Sequence, residues 1–353
     1  MDSITAAHPG DSLASPSKVN AQRSVLPPMR IVAVGGGTGL PAVLDGLCTL
    51  AVDAEDTAND LVTAIVTVTD DGGSSGRLRR ELGVLPPGDA RNCLAAVTRV
   101  DSPFRLLLQH RFHGPPGLDG HTVGNLLLAA LSEMTGDFPT AVETLGEMIR
   151  SRARVLPATR ENVRLRAEMD SGAVLVGETD IVQSKIGIRR LSLEPSPRPS
   201  PEVLRALVNA DGIVVGPGSL YTSVMPNLLV EGVAATLSGV SAVRIYVANL
   251  MTEPGETVDY SLDDHLRVIR AHTGYDLFDY VLVNRQPIAP AIAERYAAQG
   301  GCPVASDGPL RFAGRARVVQ CDFVPDCSGG KIRHHSGALA EAIRALVRQG
   351  REL

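Results

Sequence analysis

The sequence predicts an α/β protein with a doubly wound, three-layer architecture and a mostly parallel sheet. Three observations carry this expectation. The runs at 30–34, 61–68, 212–216, 243–249 and 278–283 are dominated by Val, Ile, Ala and Leu without alternation, as expected of strands covered by helices on both faces. Helical patterns lie between or beside them, at 40–50, 125–134, 141–151, 201–209, 228–237 and 262–272, giving the alternation typical of a parallel sheet. Finally, the strands at 30–34, 61–68 and 212–216 run into Gly35-Gly-Gly-Thr-Gly39, Thr69-Asp-Asp-Gly-Gly-Ser-Ser-Gly76 and Gly216-Pro-Gly-Ser219. In open α/β sheets ligands sit beyond the carboxyl ends of the strands, where loop N–H groups and carboxylates meet phosphate, ribose or metal. A nucleotide-type anion site is therefore the first functional expectation.

The elements divide the chain into a tail and one domain. Residues 1–28 are rich in Ser, Ala and Pro and end in Pro27-Pro28, so they read as a disordered tail without the apolar core of a signal peptide. Residues 29–353 read as a single α/β domain. Within it, 159–194 breaks the pattern: Val163-Arg-Leu-Arg-Ala-Glu168 and Ala173-Val-Leu-Val176 are short alternating runs on either side of Asp170-Ser-Gly172. That is a β-hairpin insertion, a small antiparallel excursion from the main sheet. Pro195-Ser-Pro-Arg-Pro-Ser-Pro201 follows as an extended connector. A last helix near 334–348 places Leu339, Ile343, Ala345 and Leu346 on one side, against the sheet.

Composition excludes several classes of function. Over 353 residues the net charge is −5, with 44% hydrophobic and 21% charged residues, so no overall basic field attracts nucleic acid or anionic lipid. Tryptophan is absent and aromatics make up 3%, which argues against base-stacking platforms. No apolar run reaches the roughly 18 to 20 residues of a membrane span. The five cysteines, Cys48, Cys93, Cys302, Cys321 and Cys327, are scattered and form no CxxC pair, which fits a reducing, cytoplasmic setting. Cys321 and Cys327 with His334 and His335, and the trio His110, His113 and His121, lack the spacing of a zinc site.

The polar constellations sit where the fold would gather them. Gly36, Gly37 and Thr38 form a tight turn opening a helix, which lets backbone approach phosphate at a helix N-terminus, although Leu40 departs from strict GxGxxG. Asp70 and Asp71 end the second strand, a place where a carboxylate can hold ribose hydroxyls or, as a hard oxygen ligand, Mg²⁺. Gly72, Gly73 and Ser74 continue that loop. A helix cap is the simpler reading of either aspartate. Asp89, Arg91 and Asn92 follow Pro86-Pro87, with Asp89 able to cap a helix and Arg91 able to reach phosphate. His121 and Asn125 open an apolar helix four residues apart, a spacing that places them on one face for ligand hydrogen bonding or acid–base chemistry. Gly216, Gly218, Ser219, Tyr221 and Thr222 form the third loop, with the hydroxyls of Ser219, Thr222 and Ser223 at a helix start. Residues 249–256 again end a strand in polar turn residues and are expected on the same rim.

Gly35-Gly-Gly-Thr-Gly39, Thr69-Asp-Asp-Gly-Gly-Ser-Ser-Gly76, Gly88-Asp-Ala-Arg-Asn92, His121-Thr-Val-Gly-Asn125 and Gly216-Pro-Gly-Ser-Leu-Tyr-Thr-Ser223, in this order, resemble the CofD-like family. The resemblance runs from about Arg30 to about Arg348 and is closest to its YvcK branch, the gluconeogenesis factors. It implies a Rossmann-like, CofD-like fold and a cytoplasmic protein that binds a UDP-sugar, UDP-N-acetylglucosamine above all. Such a protein supports cell shape and wall synthesis during gluconeogenic growth, with wall-synthesis or regulatory proteins and a homo-oligomer as the implied partners. The sister branch consists of Mg²⁺-assisted phospholactate transferases of deazaflavin coenzyme synthesis. Gly37-Thr38-Gly39 departs from the Val-Gly-Gly type of turn in that branch, which separates the chain from the transferase reaction more than from the fold. By motif, Asp70, Asp71, Asp89, Arg91, His121 and Asn125 would surround the ligand.

Three functions follow for comparison. A nucleotide-sugar-binding regulator without turnover is the leading one, and no cofactor is required for it. A phosphotransferase with Mg²⁺ on Asp70 and Asp71 is the second. A nicotinamide-dependent dehydrogenase is the third, weakened by the imperfect glycine fingerprint.

Overall fold

The structure is a computed structural model and describes residues 28–53, 61–114, 117–306, 308, 310–323 and 332–351. Cys327 and the expected tail up to residue 27 lie outside the described residues.

The first half of the chain runs β1 (Arg30–Gly35), α1 (Leu40–Asp53), β2 (Leu61–Val66), α2 (Gly73–Leu82), α3 (Gly88–Val97), α4 (Pro103–Gln109), α5 (Val123–Thr135), α6 (Phe138–Met148) and β3 (Arg154–Pro157). An insertion follows: β4 (Arg164–Met169), β5 (Val174–Val176), α7 (Glu178–Ser184) and β6 (Ile188–Glu194). The second half contains α8 (Pro201–Val208), β7 (Gly212–Val215), a π-helical turn (Leu220–Val224), α9 (Met225–Leu228), α10 (Val233–Gly239), β8 (Val243–Val247), α11 (Leu262–Thr273), β9 (Tyr280–Asn284), α12 (Pro290–Ala297), β10 (Arg317–Cys321) and α13 (Ser336–Arg351).

The main sheet has seven strands in the order β10-β9-β8-β7-β1-β2-β3, and its paired strands are parallel. All residues of β7 and β8 are buried. Helices on both faces explain why the sequence of these strands does not alternate. The chain winds outward from β1 through β2 and β3, then returns to β7 and winds outward the other way. The direction reverses between β1 and β7, which pair from Ile31↔Gly212 to Val34↔Val215. At such a switch point the loops leave the carboxyl ends in opposite directions and open a crevice.

The expected excursion is a separate three-stranded antiparallel sheet, β5-β4-β6. Its hairpin closes with Gly172 N–H donating to the Met169 carbonyl at 2.9 Å. The sequence reading missed α7 within it, and also the edge strands β3 and β10, whose runs are short. The helix expected at 228–237 is broken at Gly232, whose φ of +77° separates α9 from α10. In α13 the buried face uses Leu339, Ile343, Leu346 and Val347, while Ala345 is exposed.

Candidate functional site

The two glycine turns at the switch point are built as one unit. Gly39 faces the loop after β7 so closely that a Cβ there would lie 2.3 Å from the Pro217 carbonyl oxygen. Gly36 lies against the Asp89 carboxyl, which would be 2.6 Å from a Cβ at that position. Asp89 also accepts the Gly37 N–H, and Asn92 Nδ2 donates to the Gly37 carbonyl at 3.3 Å. From the other side, Asn249 Nδ2 donates to the Gly218 carbonyl at 2.9 Å while its Oδ1 accepts the Gly218 N–H at 3.0 Å. Asn227 Nδ2 donates to the carbonyls of Gly35 at 3.0 Å and Ser223 at 2.8 Å. Among the described residues, none accepts a hydrogen bond from the N–H groups of Thr38 or Gly39. Those groups open α1 and are available to an anion.

A cavity of about 630 Å³ lies beside this unit. Gly37, Thr38, Gly39, Gly218 and Ser219 form part of its wall, with Asn249 and residues 250–254 on the rim where a polar strand end was expected. Arg295, Tyr296 and Gln299 reach it from α12, and Arg333 and His334 from the segment before α13. Glu178, Val182, Glu253 and Glu256 also line it. A neighbouring hollow of about 620 Å³ shares Thr38, Arg333 and His334 and contains Asn92. Its wall is held by an Arg105–Asp45 ion pair at 2.7 Å.

The third loop departs from expectation, because the protein's own carboxylates fill its cradle. Ser219 donates its hydroxyl to Glu253. Glu256 accepts the Tyr221 N–H at 3.2 Å and the Thr222 hydroxyl at 3.1 Å. A helix start attracts negative charge, and here an internal glutamate supplies it. Tyr221 is fully buried, with its hydroxyl 3.0 Å from that of Tyr260, so it belongs to the core and not to the cavity wall. Gly216, at φ +80°, turns the chain out of β7. Burial and the nearby Glu253 push the Glu256 carboxyl up to about 8. Asp89 is raised to about 7, chiefly by burial and then by Asp70.

Asp70 and Asp71 diverge. Asp70 accepts the Gly72 N–H at 2.9 Å and a bond from Ser75, and it lies among Asp71, Asp89, Arg91 and Glu178. Burial is the main reason its carboxyl is raised. Asp71 instead accepts the N–H and hydroxyl of Thr179, at 2.9 and 2.7 Å. It therefore caps α7, a helix the sequence reading did not anticipate, and lines a different cavity of about 740 Å³ with Gly72, Gly73, Arg79, Arg80 and Arg164. The expected pair of Mg²⁺ ligands does not fit this arrangement. Among the described residues no group of three or more His, Cys, Asp or Glu is placed to hold a metal ion.

The remaining motif residues meet on α2. Ser74 Oγ is 2.9 Å from His121 Nδ1 and accepts from Asn125 Nδ2 at 3.0 Å. Asn125 Oδ1 accepts from Arg91 Nε at 3.2 Å. The four-residue spacing of His121 and Asn125 thus converges on one hydroxyl. Asp89 lies inside the first turn of α3, whose N-cap is Pro87, so its carboxyl serves the glycine turn and not the cap.

A family model described as 2-phospho-L-lactate transferase CofD matches residues 31–324. The chain belongs to the CofD family. It is 41% identical over 314 residues to a gluconeogenesis factor of Halalkalibacterium halodurans, covering 89% of this chain and 95% of that one. It is 40% identical over 321 residues to the gluconeogenesis factor of Bacillus subtilis, covering 91% and 98%. A crystal structure of a UPF0052 family member from Bacillus halodurans superposes with a TM-score of 0.84 at 40% identity, covering 90% of this chain and 99% of that one.

In this CofD-family chain the sequence reading missed Glu178, Arg295, Tyr296, Gln299 and Arg333. Each stands outside the glycine motifs. The one available signal was Arg333-His-His335 directly before the final helix, a basic cluster at a helix start.

Proposed function

We propose that this protein binds a nucleotide sugar of the UDP-N-acetylglucosamine class between the glycine turns of β1 and β7. In this reading it acts in the cytoplasm as a gluconeogenesis factor that links wall synthesis and cell shape to growth on gluconeogenic carbon. The observation that carries the reading is the meeting of the free Thr38 and Gly39 N–H groups with a cavity that also contains Arg295 and Arg333. Backbone donors at a helix start and guanidinium forks are complementary to a diphosphate. Tyr296 and Gln299 add a ring face and an amide suited to a uracil, and the lining carboxyls suit neutral hydroxyls. The gluconeogenesis-factor relatives support the physiological half. No helix among the described residues is long and apolar enough to cross a membrane.

A phospholactate transferase is the second reading. The family description and the placement of Asp89 against the first turn, with Asp70 near it, favour it, while the engagement of Asp71 by Thr179 weighs against its two-aspartate Mg²⁺ site. Calorimetric titration with UDP-N-acetylglucosamine, UDP, NAD and the deazaflavin acceptor separates the readings. Saturable binding of the UDP-sugar is the expected result. Binding of the deazaflavin acceptor or NAD without the UDP-sugar would overturn the proposal.

A further inference from the structure

Glu178 is the exception among the carboxyls that line the cavity. Glu256 is committed to Tyr221 and Thr222, and Glu253 to Ser219. The Glu178 side chain makes no hydrogen bond among the described residues, and it is half-buried where it lines the cavity. Its carboxyl is therefore left to water or to a ligand in the cavity. Its position is enforced from outside: Asp71 holds the first turn of α7 through Thr179 and so fixes the preceding residue at the cavity wall.

After burial, the largest influences on Glu178 are the carboxyls of Asp70, Asp89, Glu256 and Asp71. A phosphate would be repelled there. A neutral head group with hydroxyl or amide hydrogens would be welcomed, because carboxyl oxygens accept from such donors at no charge penalty.

We propose that Glu178 contacts the neutral sugar of the bound nucleotide sugar, so that the antiparallel insertion, and not the main sheet alone, completes the sugar end of the site. This rests on the nucleotide-sugar reading above. It goes beyond that reading in assigning the sugar contact to one side chain and giving the insertion a role.

Burial and the surrounding carboxylates keep the Glu178 proton on up to about 9. At neutral pH the group both donates and accepts, as a glutamine would. That makes Glu178→Gln a conservative control and Glu178→Ala the disruptive variant.

The test is calorimetric titration of the full chain and both variants with UDP-N-acetylglucosamine, UDP-glucose and UDP, with melting temperatures alongside. Glu178→Ala should weaken both UDP-sugars about five- to tenfold, the loss of one neutral hydrogen bond. Its affinity for UDP should change by less than about twofold, and Glu178→Gln should stay close to wild type throughout. Equal weakening for UDP and the UDP-sugars would overturn the proposal, because Glu178 would then serve the nucleotide or the fold. No weakening for any of them would overturn it as well. If the wild-type chain binds no uridine nucleotide, the site reading itself fails before any variant is compared, and the inference falls with it.

Discussion

The Asn249 side chain holds Gly218 by both of its polar atoms, donating to the glycine carbonyl at 2.9 Å and accepting from its N–H at 3.0 Å. Asn249 follows β8 and Gly218 follows β7, so one amide ties two neighbouring strand ends together at the mouth of the cavity. The position of the third glycine loop is thus set by a residue outside it.

Asn249→Asp should loosen that loop. A carboxylate cannot donate, and its oxygen would face the Gly218 carbonyl, leaving a partly buried acceptor unpaired at a cost of about 1 to 3 kcal/mol. Chemical denaturation should show that loss of stability. UDP-sugar affinity should fall with it, and an unchanged midpoint would show that the clamp is dispensable.

Gly39→Ala should push the two turns apart. The added methyl would lie 2.3 Å from a backbone oxygen of Pro217, which no rotamer change can relieve, and overpacking of this kind costs about 1 to 3 kcal/mol. Thr38→Ala beside it removes an exposed side chain and should stay within about 0.5 kcal/mol of wild type. Comparing the two denaturation curves isolates the contact from general damage to the turn.

Asp71→Ala should act on the insertion. Removing the acceptor of Thr179 N–H and hydroxyl uncaps α7 at about 1 to 2 kcal/mol, and amide exchange over residues 178–184 should speed up. If exchange there is unchanged, Asp71 does not hold the helix.

Stability should fall as the solution becomes alkaline. Asp89, Glu256 and Glu178 keep their protons up to about 7, 8 and 9 in the folded protein, whereas the unfolded chain releases them in the ordinary carboxyl range near 4. The folded state therefore binds more protons from about pH 4 to pH 9, and its stability is lost as pH rises through those values. The buried His121, His265 and His334 and the half-buried His272 have lowered values and oppose this only where unfolded histidine still titrates, up to about pH 7.5. Melting temperature should drop between about pH 7.5 and 8.5, before unfolded cysteine contributes strongly. Glu178→Gln should flatten the drop, and a rise over this range would contradict the placement of these carboxyls.

Much of the fold was legible because the buried strands announce themselves. β1, β2, β7, β8 and β9 are apolar runs without alternation, and three of the motifs are strand ends. β3 and β10 were not legible: Arg154-Val-Leu-Pro157 is a four-residue edge strand ending in proline, and Arg317-Val-Val-Gln-Cys321 is an edge strand with no buried residue. The glycine turns of β1 and β7 meet across the switch point as expected. The bond of Asp71 to α7 was not legible because its partner Thr179 is 108 residues distant in sequence. Tyr221 was misread because a motif marks a segment without saying which of its side chains turn inward. Glu178 and Tyr296 carry no local signal, since only the tertiary fold brings them to one cavity.

Crystals of the full chain grown with UDP-N-acetylglucosamine test the central claim most directly. The account predicts the diphosphate within hydrogen-bond reach of the Thr38 and Gly39 N–H groups, on the cavity side that carries Arg333, with the sugar toward Glu178. Electron density for the diphosphate in the hollow of Arg79, Arg80 and Arg164, away from both glycine turns, would contradict it.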